Sequence, residues 1–247
     1  MKKVIVLILF TCFTLFTLTG CKYNVSTKKL ATTAKVEKFF SQKDMDFLTK
    51  GDFSYSYEIN YEEDLKNGIV EESSKLKVKG RAISDSKSGD YKEYYKGTKK
   101  VEGTTISESG ITKYSRKVKE ETTVINQKSY ISLNAKEKYG DITTKTSYNT
   151  RNAEKSYLSQ DVVEILSQMF SLLSAGYTGA KVYIDGDNCK IVVSTLESHT
   201  EFFYIFDGSH LTAMKYTQKT ADSELEVVIE FEDVKAISRP KGTFKNS

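Results

Sequence analysis

The feature that most restricts the fold of this chain is a regular alternation of apolar and polar residues over 52–62. Its apolar residues occupy every second position: Phe53, Tyr55, Tyr57, Ile59 and Tyr61. A period of two places these side chains on one face of a β-strand. The same period returns over 75–82, after the turn signal Asn67-Gly68. The two segments are therefore predicted to pair as a long hairpin with one apolar face.

Further strands are predicted in two groups, one on each side of a helix in the middle of the chain. The first group lies near residues 91–98, 111–118, 120–126, 128–134 and 141–148. The second group lies near residues 180–185, 189–196, 200–206, 210–218 and 224–232. Their spacing and turn signals favour an antiparallel arrangement in which neighbours along the chain pair with each other.

Two amphipathic helices are predicted. The first covers residues 34–49 and stops at Gly51, and the second begins at a capping box formed by Asp161 and Glu164 and ends before Gly176. In the second helix the apolar residues recur at helical spacing, which gives one face that can pack against the sheet. The order is helix, strands, helix, strands.

The number of strands predicts how the sheet is shaped. About ten strands spaced ~4.8 Å apart span roughly 50 Å, whereas two helices of ~10 Å diameter cover less than half of that width. We therefore expect an α+β fold in which a strongly curved antiparallel sheet, a half-barrel, holds two amphipathic helices on its concave side. An apolar groove is expected there, with these candidate lining residues: Tyr55, Tyr57, Ile59, Tyr61, Leu166, Met169 and Phe170.

The N-terminus has the three parts of an export signal. Lys2 and Lys3 precede an uncharged apolar run over Val4–Leu18, and the sequence Leu18-Thr19-Gly20-Cys21 follows. The run is shorter than the ~20 residues of a membrane-spanning helix. The last four residues resemble the lipobox of bacterial lipoproteins. An uncleaved N-terminal helix with an incidental cysteine is the alternative reading.

This resemblance implies cleavage between Gly20 and Cys21 and attachment of diacylglycerol to the Cys21 thiol. Two acyl chains, at ~0.8 kcal/mol per buried methylene, give an effectively permanent anchor. We expect a signal peptide over 1–20, a lipidated flexible tether over 21–33 and a single β-rich domain over 34–247. The expected location is the extracytoplasmic face of the cell membrane. The composition is typical of low-GC Gram-positive bacteria, although the inner and outer membranes of Gram-negative bacteria stay open.

The charge of the chain limits the partners that are expected, and its cysteine content limits the disulfides that can form. Without Lys2 and Lys3 the chain carries 35 basic and 33 acidic side chains, with the two signs interspersed along the sequence, so no nucleic acid or other polyanion is expected as a partner. Once Cys21 is lipidated, Cys189 has no cysteine with which to form a disulfide within the chain. Cys189 is interpreted as a small buried residue, with a reactive thiol as the alternative.

The order of the predicted elements resembles the lipoprotein-carrier-like fold of LolA, LolB and the LppX/LprG lipoproteins. The likeness covers most of residues 34–240 and rests on the leading helix, the aromatic strand over 53–61, the helix before Gly176 and a closing strand that runs toward Pro240. It implies a half-barrel that holds a lipid against helices. It carries over no individual binding residue.

No catalytic, metal or cofactor site is predicted. His199 and His210 flank one strand and are more than ~20 Å apart if it is straight, so they cannot share a metal or a proton. Cys189 is expected opposite residues near Phe206 and far from His199, and adjacent acidic pairs such as Glu120-Glu121 are expected at solvated positions.

The function expected from the sequence is therefore not enzymatic. The leading hypothesis is a membrane-anchored lipoprotein that binds a lipid or other amphiphile in an apolar groove. The alternative is a surface-displayed interaction, scaffold or sensor protein with a filled core, which binds another envelope protein and holds no ligand. An enzyme is the third possibility.

Overall fold

One sheet of twelve strands organises the chain. The structure is a computed structural model, and it describes residues 22–85, 87–108, 110–151, 158–174, 179–234 and 236–246. The helices are α1 (Thr33–Ser41), α2 (Asp46–Lys50) and α3 (Ser159–Ser174). The strands are β1 (Phe53–Lys66), β2 (Val70–Asp85), β3 (Asp90–Ser107), β4 (Gly110–Ile125), β5 (Lys128–Tyr139), β6 (Ile142–Arg151), β7 (Lys181–Asp185), β8 (Asn188–Ser194), β9 (His199–Asp207), β10 (His210–Lys219), β11 (Ser223–Phe231) and β12 (Lys245–Asn246).

Two meanders join side by side to form this sheet. The spatial order is β12-β6-β5-β4-β3-β2-β1-β11-β10-β9-β8-β7, so the first strand pairs with the eleventh at the junction. Neighbouring strands are antiparallel, except that the short β12 runs parallel to β6. Within the described residues β12 and β7 are the two ends of the order. The sheet is therefore open.

The predicted α+β class, a strongly curved half-barrel with two amphipathic helices on its concave side, is wrong. The chain is predominantly antiparallel β-structure in one open sheet, and its helices are few and short. A strongly curved sheet was expected because two helices could not cover a wide sheet face that was apolar across every strand. On the side of β3 and β4 that face instead carries buried, hydrogen-bonded glutamates, Glu93 and Glu120. No surplus of apolar surface forces the sheet to close.

The predicted first hairpin is confirmed. Tyr57 pairs with Gly80 and Ile59 with Val78, and the side-chain oxygen of Asn67 accepts the backbone N–H groups of Ile69 and Val70 at 3.1 and 2.8 Å. The strands predicted over 111–118 and 120–126 are in fact the single strand β4. Lys119, the one residue between the two predicted ranges, does not end the strand, because it continues the alternation between the two faces.

Both helix predictions need correction. The segment 34–49 forms two helices, α1 and α2, because the chain between them meets the sheet: the N–H of Asp44 donates to the carbonyl of Ser209 at 2.9 Å. Helix α3 begins at Ser159, so Asp161 lies inside its first turn and does not cap it. The Asp161 carboxylate instead pairs with Lys99 of β3 at 2.8 Å.

The core lies between α1, α3 and one face of the sheet, which we call the inner face. The opposite face is the outer face. Inner-face residues of β1, β2 and β9–β11 pack with Phe39 of α1 and with Leu166 and Met169 of α3. A smaller cluster, built around Ile131 and Leu133 of β5, lies farther along the sheet. We call the long strands β2–β6, which extend from the first cluster across the second, the wing.

The terminal segments cover parts of the outer face and the sheet edges. In the segment for which a flexible tether was expected, Val25 is buried, Tyr23 packs edge-on against Phe203, and Ala31 donates its N–H to Val182 of β7. At the other terminus, Phe244 packs against Tyr130 of β5, and the strand β12 pairs with β6. Residues 22–31 therefore lie against the sheet.

Candidate functional site

The residues predicted to line a cavity come together on the inner face, where most of them fill the core. Tyr55, Tyr57 and Ile59 of β1 and Leu166 and Met169 of α3 are all buried in one packed cluster. Tyr61 lies at the margin of this cluster, beside a groove. The side chain of Phe170 lies outside the described residues.

A buried carboxylate, Glu93, is held by two tyrosines at the centre of the inner face. The Tyr57 hydroxyl donates to Glu93 Oε1 at 2.6 Å, and the Tyr91 hydroxyl donates to Oε2 at 3.1 Å. The Tyr57 ring reaches Glu93 by lying across β2 at Gly80, where an added Cβ would stand 2.2 Å from Tyr57 Cζ. Burial raises the pKa of Glu93, and the two tyrosine hydrogen bonds oppose that rise.

A second buried carboxylate, Glu120, fixes the start of α3. Only 2% of its surface is exposed, and it accepts hydrogen bonds from the Tyr95 hydroxyl, the Thr122 hydroxyl and the Leu158 N–H at 3.3, 2.9 and 3.3 Å. The prediction that Glu120 is solvated is therefore wrong. Glu120 and Glu121 do lie on opposite faces of the strand, but only Glu121, on the outer face, is exposed.

The two carboxylates form separate clusters. Gly97, the partner of Glu120 on β3, lies four residues from Glu93, which is about 13 Å along the strand. Two carboxyl groups that share a proton or cooperate in hydrolysis lie considerably closer than that. Both clusters are explained by packing. Glu93 ties β1 to β3, and Glu120 ties β4 to α3.

The same arrangement of a tyrosine and a glutamate recurs farther along strands β2–β4. The Tyr114 hydroxyl of β4 donates to Glu72 of β2 at 2.7 Å, and its ring lies across Gly103 of β3, where a Cβ would meet Tyr114 Cζ at 2.6 Å. A tyrosine and a glutamate two strands apart, with an inner-face glycine between them, is the pattern common to both sites. Sequence reasoning missed it, although the glycine within an alternating strand was a usable signal.

A groove beside the first turns of α3 is a candidate ligand site. It has a volume of about 340 Å³. Its apolar floor includes Tyr61, Leu76, Ile165 and Leu225. Its rim is mainly acidic, with Glu63, Glu72, Asp161 and Glu164, and it also includes Lys99, which pairs with Asp161. Its size is at the lower limit for small-molecule pockets. A larger and more open groove of about 720 Å³ lies at the far ends of β1–β5, with side chains of both charges.

Cys189 and the two histidines lie in different surroundings. Cys189 is buried and pairs with Tyr204, and burial raises the pKa of its thiol to about 12. His199 contacts Ser194 and Glu201, whereas His210 packs near Phe47. Among the described residues no group of three or more histidine, cysteine, aspartate or glutamate side chains could hold a metal ion.

The predicted anchor residues, Gly20 and Cys21, lie outside the described residues. The first described residue is Lys22, whose ammonium group pairs with Glu230 of β11 at 2.6 Å. Among the helices that the structure describes, none combines the length and apolar composition needed to cross a membrane.

Comparison with known proteins does not assign this chain to a family. No protein-family model matches it, and no curated protein matches it either.

Proposed function

We propose that this protein is a membrane-anchored extracytoplasmic lipoprotein that acts without catalysis, as an interaction or scaffold protein with a filled core. The observation that carries this proposal is the packing of Tyr55, Tyr57, Ile59, Leu166 and Met169, which fill the space where a carrier would keep its ligand. The lipobox residues Leu18-Thr19-Gly20-Cys21 support the anchor. The three-dimensional arrangement thus favours the interaction class over the carrier class.

The anchor is tested by the substitution Cys21→Ser in the full chain. Without the thiol no diacylglycerol is attached, so the precursor should stay uncut and the lipid-modified form should disappear. Membrane fractionation and intact-mass measurement of the processed protein check both points. Normal cleavage after Gly20 together with unchanged membrane retention in the variant would sink the lipoprotein proposal.

The filled core is tested by native mass spectrometry of a signal-free Cys21→Ala form recovered from cells. We expect the mass of the polypeptide alone, because the inner face is occupied by its own side chains. A lipid that co-purifies in stoichiometric amount would contradict the filled core.

A second candidate function, the binding of an amphiphile, is supported by the groove beside α3. Its apolar floor and acidic rim fit an amphiphile with a positively charged head group, since carboxylates at the rim would attract a cation. The matched variants are Ile165→Glu, on the groove wall, and Val163→Glu, on the exposed side of the same helix. Loss of a co-purifying amphiphile in the first variant alone would favour this candidate.

A further inference from the structure

A row of five lysines crosses the outer face of the wing. Lys75 of β2 pairs with Lys100 of β3, which pairs with Lys117 of β4, and the row continues through Lys136 of β5 to Lys145 of β6. Partners in register lie side by side on neighbouring strands, about 5 Å apart. We call these five residues the lysine row. In the sequence they are scattered over 70 residues among acidic side chains, and only the strand register brings them together.

The chain leaves most of this charge uncompensated. Lys75 pairs with Glu62 at 2.8 Å, but the part of the chain that the structure describes gives no ion pair to the other four, and all five are exposed. Like charges placed directly opposite each other destabilise a sheet. The neighbouring outer-face positions add Lys119 and Lys138, with Glu102 and Glu121 as the nearby acids. The row is therefore a positive surface that costs the fold some stability.

The mature chain begins on this same face. Lys22 pairs with Glu230, and Glu230 is the register partner of Ser56, which in turn pairs with Arg81. Arg81 belongs to the outer-face alternation of β2 that includes Lys75. Strands β11 and β2 are two positions apart in the sheet, or about 10 Å, and Lys75 lies six residues farther along β2 than Arg81, or about 20 Å. Cys21 is the residue that precedes Lys22 in the sequence.

We infer that the lysine row docks onto the anionic head groups of the bilayer that holds the lipid on Cys21, so that the sheet lies with its outer face on the membrane. This inference rests on the proposed lipid anchor. A lysine near an anionic surface contributes about a factor of five in binding, and the attraction acts within a Debye length of about 8 Å. Because Lys22 and the row lie on the same face, an anchor next to Lys22 allows the sheet to lie flat and bring the row within that range. A free polyanion would not require this shared placement.

Lysine acetylation of the reconstituted protein tests this orientation. The lipidated protein, purified from membranes, is placed in vesicles of phosphatidylcholine alone or with added phosphatidylglycerol, and acetylation of each lysine is followed by mass spectrometry. In the anionic vesicles Lys100, Lys117 and Lys136 should be labelled at least fivefold more slowly, because they lie against the head groups. High salt should remove the difference. The helix lysines Lys35 and Lys38 should be labelled equally in both.

Two triple variants sharpen the test. Lys100→Gln/Lys117→Gln/Lys136→Gln should remove the protection of the remaining outer-face lysines, Lys119 and Lys138. The control Lys35→Gln/Lys38→Gln/Lys50→Gln changes the same number of lysines on the helices and should preserve it.

Three outcomes would overturn the docking inference, and they differ in what they say about the anchor. A protein that associates with neither kind of vesicle refutes the anchor, and with it this inference. A protein that is anchored in both but labelled equally in both overturns the docking inference and leaves the anchor intact. Protection that arises in neutral vesicles when polyphosphate is added, and not from phosphatidylglycerol, would identify a free polyanion as the occupant and would also overturn it.

Discussion

The inner and outer faces of β2–β4 are built by the same strands, but charged side chains are buried on the inner face and exposed on the outer face. On the inner face the carboxylates of Glu93 and Glu120 are buried, and each accepts hydrogen bonds from tyrosine hydroxyls. On the outer face the ammonium groups of Lys100 and Lys117 are exposed and paired with like charges. A buried charge needs partners from the chain, whereas water can satisfy an exposed one. The exposed ammonium groups of the outer face are therefore available to bind a partner.

The largest expected effect comes from closing the space at Gly80. The substitution Gly80→Ala places a Cβ within 2.2 Å of Tyr57 and forces its ring away from Glu93. Overpacking and a lost hydrogen bond to a buried carboxylate should together lower the free energy of unfolding by about 3 kcal/mol. Urea denaturation of both proteins measures the change.

The neighbouring residue on the outer face gives the matched control. Lys79→Ala removes an exposed ion pair with Glu58 and should cost less than about 1 kcal/mol. If Gly80→Ala costs as little as Lys79→Ala, the two faces do not differ as we describe.

A smaller effect is expected from the titration of Glu93. Burial raises its folded-state pKa above the ordinary value of 4.5, so the folded chain binds this proton more tightly than the unfolded chain. The stability from this group is present below pH 4.5 and is lost as the pH rises to the folded-state pKa, at about 1.4 kcal/mol per pKa unit. The variant Glu93→Gln should therefore show a smaller decline in urea midpoint between pH 4 and pH 8.

The outer-face variant Glu121→Gln is the control for this titration. It should retain the decline seen in the parent protein, because Glu93 is unchanged. An equal decline in the parent protein and in Glu93→Gln would show that Glu93 does not control it.

The smallest expected effect concerns the lysine row. Lys117→Glu replaces two like-charged pairs, with Lys100 and with Lys136, by opposite charges. It should raise the free energy of unfolding by roughly 0.5 kcal/mol at low salt and by less at high salt. Lys35→Glu on α1 is the control and should change little. A loss of stability in Lys117→Glu at low salt would mean that the row carries no repulsion.

Local patterns in the sequence predict the hairpin geometry well. The alternation over 53–61 and the Asn67-Gly68 turn together set the register of β1 and β2, because a turn of known position leaves one way to align the two apolar faces. The sequence does not show that 111–118 and 120–126 form one strand, although the residues of β4 alternate between the two faces without a break.

The candidate sites depend on partners that are distant in the chain. Glu120 is buried because the N–H of Leu158 and the hydroxyl of Tyr95 reach it, and these lie 38 and 25 residues away. The lysine row requires four consecutive hairpin registers, and an error of one residue in any of them would turn part of the row to the inner face. The sequence places Tyr57 on the inner face correctly, but it does not reveal that Tyr57 binds Glu93 across Gly80.

The coverage of the sheet edges by the chain termini has a consequence for assembly. Ala31 donates its N–H to Val182 at the β7 edge, and Lys245–Asn246 pair with Thr150 and Arg151 at the β6 edge. An uncovered edge strand is a template on which strands of other molecules can grow. Proteolytic trimming of either terminus would therefore lengthen the uncovered edge, which among the described residues already includes positions 142–149 of β6. The few residues at each end therefore shorten the length of edge on which strands of other copies could add.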